Sequence, residues 1–343
     1  MAKRTIQTCR FYADIPQYLK ALGYYEGSNA PDVWDMNPVN VQEYSSSPKF
    51  IISKPNIELD QLLTNIPQST SSGMYGAVFA HNLEGTLYSI DIDDSTIEDT
   101  QEIINYNSST SEYNGYSFFN IRAFVADFSE TNITKISLSF LGQKKIGAVS
   151  FGRWFEPSHS PDLQVKLITE FDGITNQSTV GGNTITNINH LGQPHWGDLP
   201  AWTLQKQEKV YEYGLYSDAE LENFKKPHDY KIGANTQRRT WQVKFSYMAD
   251  DDVFNKANNP NKFFTVTDGN YVFDTSMASF FGLTLNGNLR FWFCPNSAGS
   301  NPRTADGDKD LEFALCQIDQ DSLTFNQVAH RTFDVSMNIR EVW

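Results

Sequence analysis

Near the C-terminus the chain alternates strictly. Phe333, Val335, Met337 and Ile339 are apolar, and Thr332, Asp334, Ser336, Asn338 and Arg340 between them are polar. A period of two places one set on each face of a pleated strand, so residues 333–339 predict a half-buried β-strand. Trp343 follows with nothing after it, which predicts a terminus tied into a sheet. The same alternation sets Trp241, Val243, Phe245 and Tyr247 against Gln242, Lys244 and Ser246. Shorter apolar runs predict strands at 76–80, 86–92, 117–127, 136–141, 147–152, 163–168, 289–294 and 311–318. The strand over 333–339 is expected in one sheet with 136–152 or 240–248, with Arg340 facing solvent or another subunit.

Helical spacing is rarer. Ile15, Tyr18, Leu19 and Leu22 fall on one helical face, with Asp14 as N-cap, Pro16 in the first turn and Gly23 as a stop. Residues 250–254 predict a short helix with an Asp as N-cap and acids at its positive end. Residues 56–65 suit a short helix or turn, and 217–224 a short helix. Asn286, Gly287 and Asn288 suit a tight turn before the strand at 289–294. The stretch 28–48 is rich in Pro, Asn and Ser and holds Pro31, Pro38 and Pro48. It reads as an extended excursion over a surface or onto a neighbouring subunit. No fixed-period repeat is visible, which argues against solenoids and propellers.

The expected fold class is therefore mainly β: antiparallel β-sandwich or barrel domains with a few short helices and long extended loops. The texture divides the chain into an N-terminal mixed region with an extended arm, 1–135, and a β-rich domain, 136–343. The latter carries a long insertion at about 173–236.

Composition narrows the partners. At 343 residues a sizeable core can be buried, and 24 Phe, 16 Tyr and 7 Trp favour strands and contact surfaces. A net charge of -14 disfavours nucleic acid and anionic membranes as partners and suits a basic face. No apolar run is long enough for a spanning helix, and the N-terminus lacks the apolar core of a signal peptide. Asn107, Asn132 and Asn176 head sequons that carry no weight without a secretion signal. The three cysteines, Cys9, Cys294 and Cys316, are expected as buried reduced thiols in core strands, made in a reducing cytoplasm; a Cys294–Cys316 disulfide is the alternative.

No catalytic motif stands out. Residues 91–102 superficially fit a calcium loop, but Thr96 stands where the sharp turn needs Gly and Glu98 where an apolar residue belongs, so a solvated acidic turn is expected. The alternating acids of 306–310 lack an acid at the twelfth position. His81, His159, His190, His195, His228 and His330 form no compact ligand pair and are expected in turns or interfaces. Gly181 and Gly182 read as a turn in a polar loop. Nucleotide-binding and nucleophile-elbow patterns are missing, so neither cofactor nor metal is expected.

One resemblance remains. Residues 238–247, then 250–254, then the aromatic-proline segment 291–295, then 313–316, and finally 335–343 follow the order seen in tailed-bacteriophage tail-tip and baseplate proteins of the distal-tail or minor-tail kind. Residues 150–154, 158–162 and 196–202 are similar to virion proteins of marine tailed phages. The resemblance covers roughly 136–343. It implies a non-enzymatic structural subunit of a phage tail or baseplate, assembled in the host cytoplasm and located in the virion tail. It further implies a homo-oligomer contacting other tail proteins, with Trp34, Arg238, Arg239, Arg340 and Trp343 as candidate subunit contacts. The alternative is a carbohydrate-binding β-sandwich for host attachment, in which Trp154, Trp196 and Trp202 stack on sugars.

Overall fold

The computed structural model describes residues 9–21, 31–36, 42–44, 49–53, 72–81, 87–92, 95–102, 115–120, 135–142, 144–162, 164–171, 174–188, 237–254, 265–267, 270–272, 277–295 and 314–342. In chain order these form β1 (Arg10–Asp14), α1 (Ile15–Ala21), a 3₁₀ turn (Pro31–Trp34), β2 (Gln42–Tyr44), β3 (Lys49–Ser53), β4 (Ser72–His81), β5 (Leu87–Ile92), β6 (Ser95–Glu102), β7 (Gly115–Asn120), β8 (Lys135–Phe140) and β9 (Lys144–Phe155). Then come β10 (Lys166–Phe171), β11 (Ile174–Ser178), β12 (Thr184–Ile188), β13 (Gln237–Ala249), α2 (Asp250–Val253), β14 (Thr265–Thr267), β15 (Asn270–Val272) and α3 (Met277–Leu283). The last elements are β16 (Phe291–Cys294), β17 (Ala314–Ile318), β18 (Thr324–Ala329) and β19 (Thr332–Glu341). The protein is mainly β, with large antiparallel sheets and a few short helices, as the alternation predicts.

The largest sheet has the order β10-β13-β19-β17-β16-β1-β9-β4-β7, with β18 also on β19 and β2 also on β9. A second sheet has the order β3-β8-β5-β6, and β11–β12 and β14–β15 are separate hairpin pairs. The strand over 333–339 does pair with the 240–248 region: Trp241 lies opposite Ile339, Val243 opposite Met337 and Phe245 opposite Val335. All six are buried, so two alternating patterns in register place one apolar row against one core.

The sheet centre is covered on both faces. Every residue of β16 is buried, and in β1 Phe11 and Ala13 join one apolar cluster while Tyr12 joins the other. A strand buried on both sides reads as a continuous apolar run, which is why 291–294 lacks alternation. Phe11, Phe280 and Phe293 pack on one side, and Phe79 stacks on Trp292 at 3.6 Å on the other. Helix α3, all of whose residues are buried, belongs to the first cluster. β1 sits between β9 and β16, so an N-terminal strand joins the two halves of the sheet.

Several local expectations are corrected. The stretch 28–48 is not extended throughout: it turns at Pro31–Trp34, buries Val33, Trp34 and Met36, and adds β2 to β9. The acidic segment 91–102, expected as a solvated turn, supplies the end of β5 and all of β6, since Ile92 pairs with Ser95 and Leu87 with Glu102. Ala249, not an aspartate, caps α2, and no side-chain cap bond forms there. Gly181 and Gly182 do lie in a turn, but strands β11 and β12 flank it. Helix α3 has no counterpart among the expected elements, because an all-buried helix has no polar face to betray its period. The cysteines are buried free thiols as expected, and Phe291 rather than Cys294 lies opposite Cys316. The helices expected at 56–65 and 217–224 lie outside the described residues.

Candidate functional site

The residues singled out as contacts form two kinds of site. Arg239 sits on β13 directly before Thr240, which pairs with Arg340 on β19. It is buried, and its guanidinium grips Glu341 from β19: Nη2 donates to Oε1 at 2.6 Å and Nε to Oε2 at 2.9 Å. The Arg239 backbone N–H donates to the same Oε2 at 3.1 Å, and the guanidinium carbon stands 4.9 Å from the Trp241 ring centre. A bidentate, desolvated pair of this geometry locks two strands. The expected subunit contact at Arg239 is thus an internal ion pair. Arg340 points to the other side and donates through Nη2 to Glu170 of β10 at 2.6 Å, with both side chains about one-third exposed. It faces neither bare solvent nor another subunit alone, because Glu170 in its own chain takes its charge.

The remaining contact candidates scatter. Trp34 is buried in the main apolar cluster. The backbone of Arg238 pairs with Glu170 in the β10–β13 ladder. Trp343 lies outside the described residues. Of the sugar-stacking candidates, Trp154 is half-buried and has the Arg10 guanidinium 4.4 Å from its ring centre; Arg10 in turn donates to Glu156 at 2.6 Å. Trp196 and Trp202 lie outside the described residues.

A second site is only half visible in the sequence. Asp14 caps α1, its Oδ2 accepting the Gln17 N–H at 2.9 Å. Its Oδ1 also accepts from Ser150 Oγ and from the Phe151 N–H, both at 2.9 Å, which ties the β1–α1 corner to β9. The Tyr75 hydroxyl lies 2.7 Å from Ser150 Oγ, so a relay Tyr75–Ser150–Asp14 crosses three elements. All three residues are buried. Gly152 makes the close approach possible: a Cβ there would run into the Ala13 carbonyl oxygen. Burial pushes the Asp14 carboxyl up from 3.8 to about 7, against the opposing pull of its hydrogen bonds to Phe151, Gln17 and Ser150. The cap is legible in the Asp-Ile-Pro pattern, but nothing local marks partners 136 residues away.

An exposed cluster lies at the end of β13. Tyr247 sits in a β-bulge at φ 60°, a left-handed conformation that a bulky residue adopts only under constraint. The constraint is Asp334, whose Oδ1 accepts the Tyr247 N–H at 3.1 Å and whose Oδ2 pairs with Lys244 Nζ at 2.7 Å. The hydrogen bond from Lys244 keeps the Asp334 carboxyl below its usual range. His159 and His330 are exposed near this end. Among the described residues no group of three or more His, Cys, Asp or Glu is placed to hold a metal ion, and no helix is long and apolar enough to cross a membrane. Comparison with protein-family models, curated proteins and solved structures finds no match.

Proposed function

We propose that this chain is a non-enzymatic structural subunit of a bacteriophage tail or baseplate, forming a homo-oligomer that contacts other tail proteins. The observation that carries the reading is the order in which the C-terminal elements enter one sheet. A long strand, β13, is followed at once by the single turn α2. An aromatic strand followed directly by Pro295, β16, comes later, and the last strand, β19, returns beside β13. That order is the one on which the resemblance to tail-tip and baseplate proteins rests. An acidic, aromatic-rich chain also suits assembly through subunit contacts.

The carbohydrate-binding reading depends on Trp196 and Trp202, because Arg10 occupies a face of Trp154. The test is direct. Mass spectrometry and antibody-labelled electron microscopy of purified virions should find the chain at the tail end, in a fixed multiple per particle. A chain missing from purified virions would sink the proposal.

A further inference from the structure

Hairpin β11–β12 is built to stand away from its own protomer. Every residue from Gln177 to Ile185 is exposed. Its tip is nonetheless well formed: the Thr179 N–H donates to the Asn183 carbonyl at 2.8 Å, the Asn183 N–H to Thr179 Oγ1 at 3.1 Å, and Gly182 takes φ 82°. A two-stranded hairpin is marginal alone in water and needs a further strand or surface. No charged residue occurs between Ile174 and Ile188, in a chain of net charge -14. Exposed strands are normally guarded by charge or proline, and this one is not.

A matching edge exists. Among the described residues β18 pairs with β19 alone, carries no charge, and exposes all its residues but Phe325. Asn326 lies opposite Asp334, the residue that clamps Tyr247. A bulge after Gln327 turns Val328 outward. Five large apolar side chains are exposed among the described residues: Val180 and Ile185 on the hairpin, Val328 on β18, Tyr247 on β13 and Leu141 after β8. Three of the five thus fall on the two uncharged elements.

We propose that the β11–β12 hairpin is an arm that adds to the outer edge of β18 on a second copy of this chain. The protomer's own edge is out of reach. Phe171, just before the hairpin, lies opposite Gln237, whereas the near end of β18, Thr324, lies opposite Ser336 and so level with Lys244. A strand on the outer side of β18 would lie about 23 Å along β13 and about 19 Å across β13, β19 and β18, about 30 Å away in all. The stretch from Phe171 to Ser178, the end of β11, spans at most about 25 Å. The contact is therefore head-to-tail, which closes a ring or extends a stack. Two copies of an acidic chain repel, and a charge-free contact is where they can meet. The inference deepens the structural-subunit reading and rests on it for the choice of partner.

The experiment uses two full-length variants with charges at exposed positions. One carries Val180→Glu and Ile185→Glu, and the other Asn326→Glu and Val328→Glu. Light scattering with size-exclusion chromatography should show wild type self-associating and each variant monomeric alone, its association weakened about a hundredfold or more. Thermal melts should match wild type, because the sites are exposed. Mixing the two variants leaves one intact arm and one intact edge, so a 1:1 heterodimer should form and grow no further. Variants as oligomeric as wild type, a mixture that stays monomeric, or a wild type monomeric at its highest soluble concentration would each overturn the arm. A chain found in virions under any of those outcomes leaves the proposed function standing. A heterodimer from a chain absent from virions does the reverse.

Discussion

Two buried carboxylates hold this sheet together, and they are neutralised in opposite ways. Glu341 is met by a cation: Arg239 covers both of its oxygens. Asp14 is met by neutral donors alone, one hydroxyl and two backbone N–H groups. A charge pair can stay ionised where water is excluded, if geometry is bidentate. A lone carboxylate in the same setting shifts toward its protonated form. The junction of β1, α1 and β9 should therefore respond to pH.

The largest effect is expected from splitting the pair. Arg239→Ala leaves Glu341 buried and uncompensated, and removes the cover over Trp241. Urea unfolding should show a loss of about 3–5 kcal/mol. The double variant Arg239→Met with Glu341→Leu should recover most of it, because a buried ion pair replaced by apolar groups of similar size is often near neutral. A single variant that loses under about 1 kcal/mol would mean that Glu341 finds another partner, and the contrast with Asp14 would collapse.

The next effect tests Asp14 through pH. Its carboxyl titrates near 7 in the folded chain and near 3.8 in the reference state. Between those values the native state holds a proton that the unfolded chain has released, so stability falls as pH rises. The contribution is present in full below about pH 4 and is lost as pH climbs through 7. The stability of wild type relative to Asp14→Asn should fall by roughly 4 kcal/mol over that window. A relative stability that is flat with pH, or that rises, would show that Asp14 stays charged.

The two sites also differ in how far the sequence betrays them. Alternation narrowed the partner of the last strand to 136–152 or 240–248, and the register of β13 against β19 decides between them. Asp14 announced itself as a cap from its place before Ile15 and Pro16. Its second role stayed hidden, because Ser150 and Phe151 lie in a run that reads simply as a strand. Arg239 stood out as a cation before an apolar strand, but no pattern reveals whether an arginine turns inward to Glu341 or outward to a neighbour. Hairpin β11–β12 was read as loop because Thr, Asn and Gly mark turns more strongly than they mark strands. What escapes sequence reading here is partner choice across long separations, which tertiary packing decides.

A smaller effect should come from Ser150→Ala. It removes one donor from Asp14 and costs about 1–2 kcal/mol as a lost buried hydrogen bond. The Ser150 hydroxyl favours the charged carboxylate, so its loss should carry the Asp14 titration higher, and the pH window of the preceding comparison should move up with it. Titrating the carboxyl carbon of Asp14 by NMR in both proteins would read that displacement directly. A titration that moves down would mean that the hydroxyl accepts from, rather than donates to, Asp14.

The smallest effect isolates burial as the cause of the contrast. Arg340 and Arg239 lie one strand position apart and each grips a glutamate at 2.6 Å. The Arg239 and Glu341 side chains are 3% and 1% exposed, against 32% and 34% for Arg340 and Glu170. Arg340→Ala should therefore cost less than about 1 kcal/mol, and raising salt from about 0.05 M to about 0.5 M should remove even that, since water and ions screen the pair. The loss from Arg239→Ala should barely change over the same range. Equal salt sensitivity in the two variants would show that the length of the ion pair matters here and its burial does not.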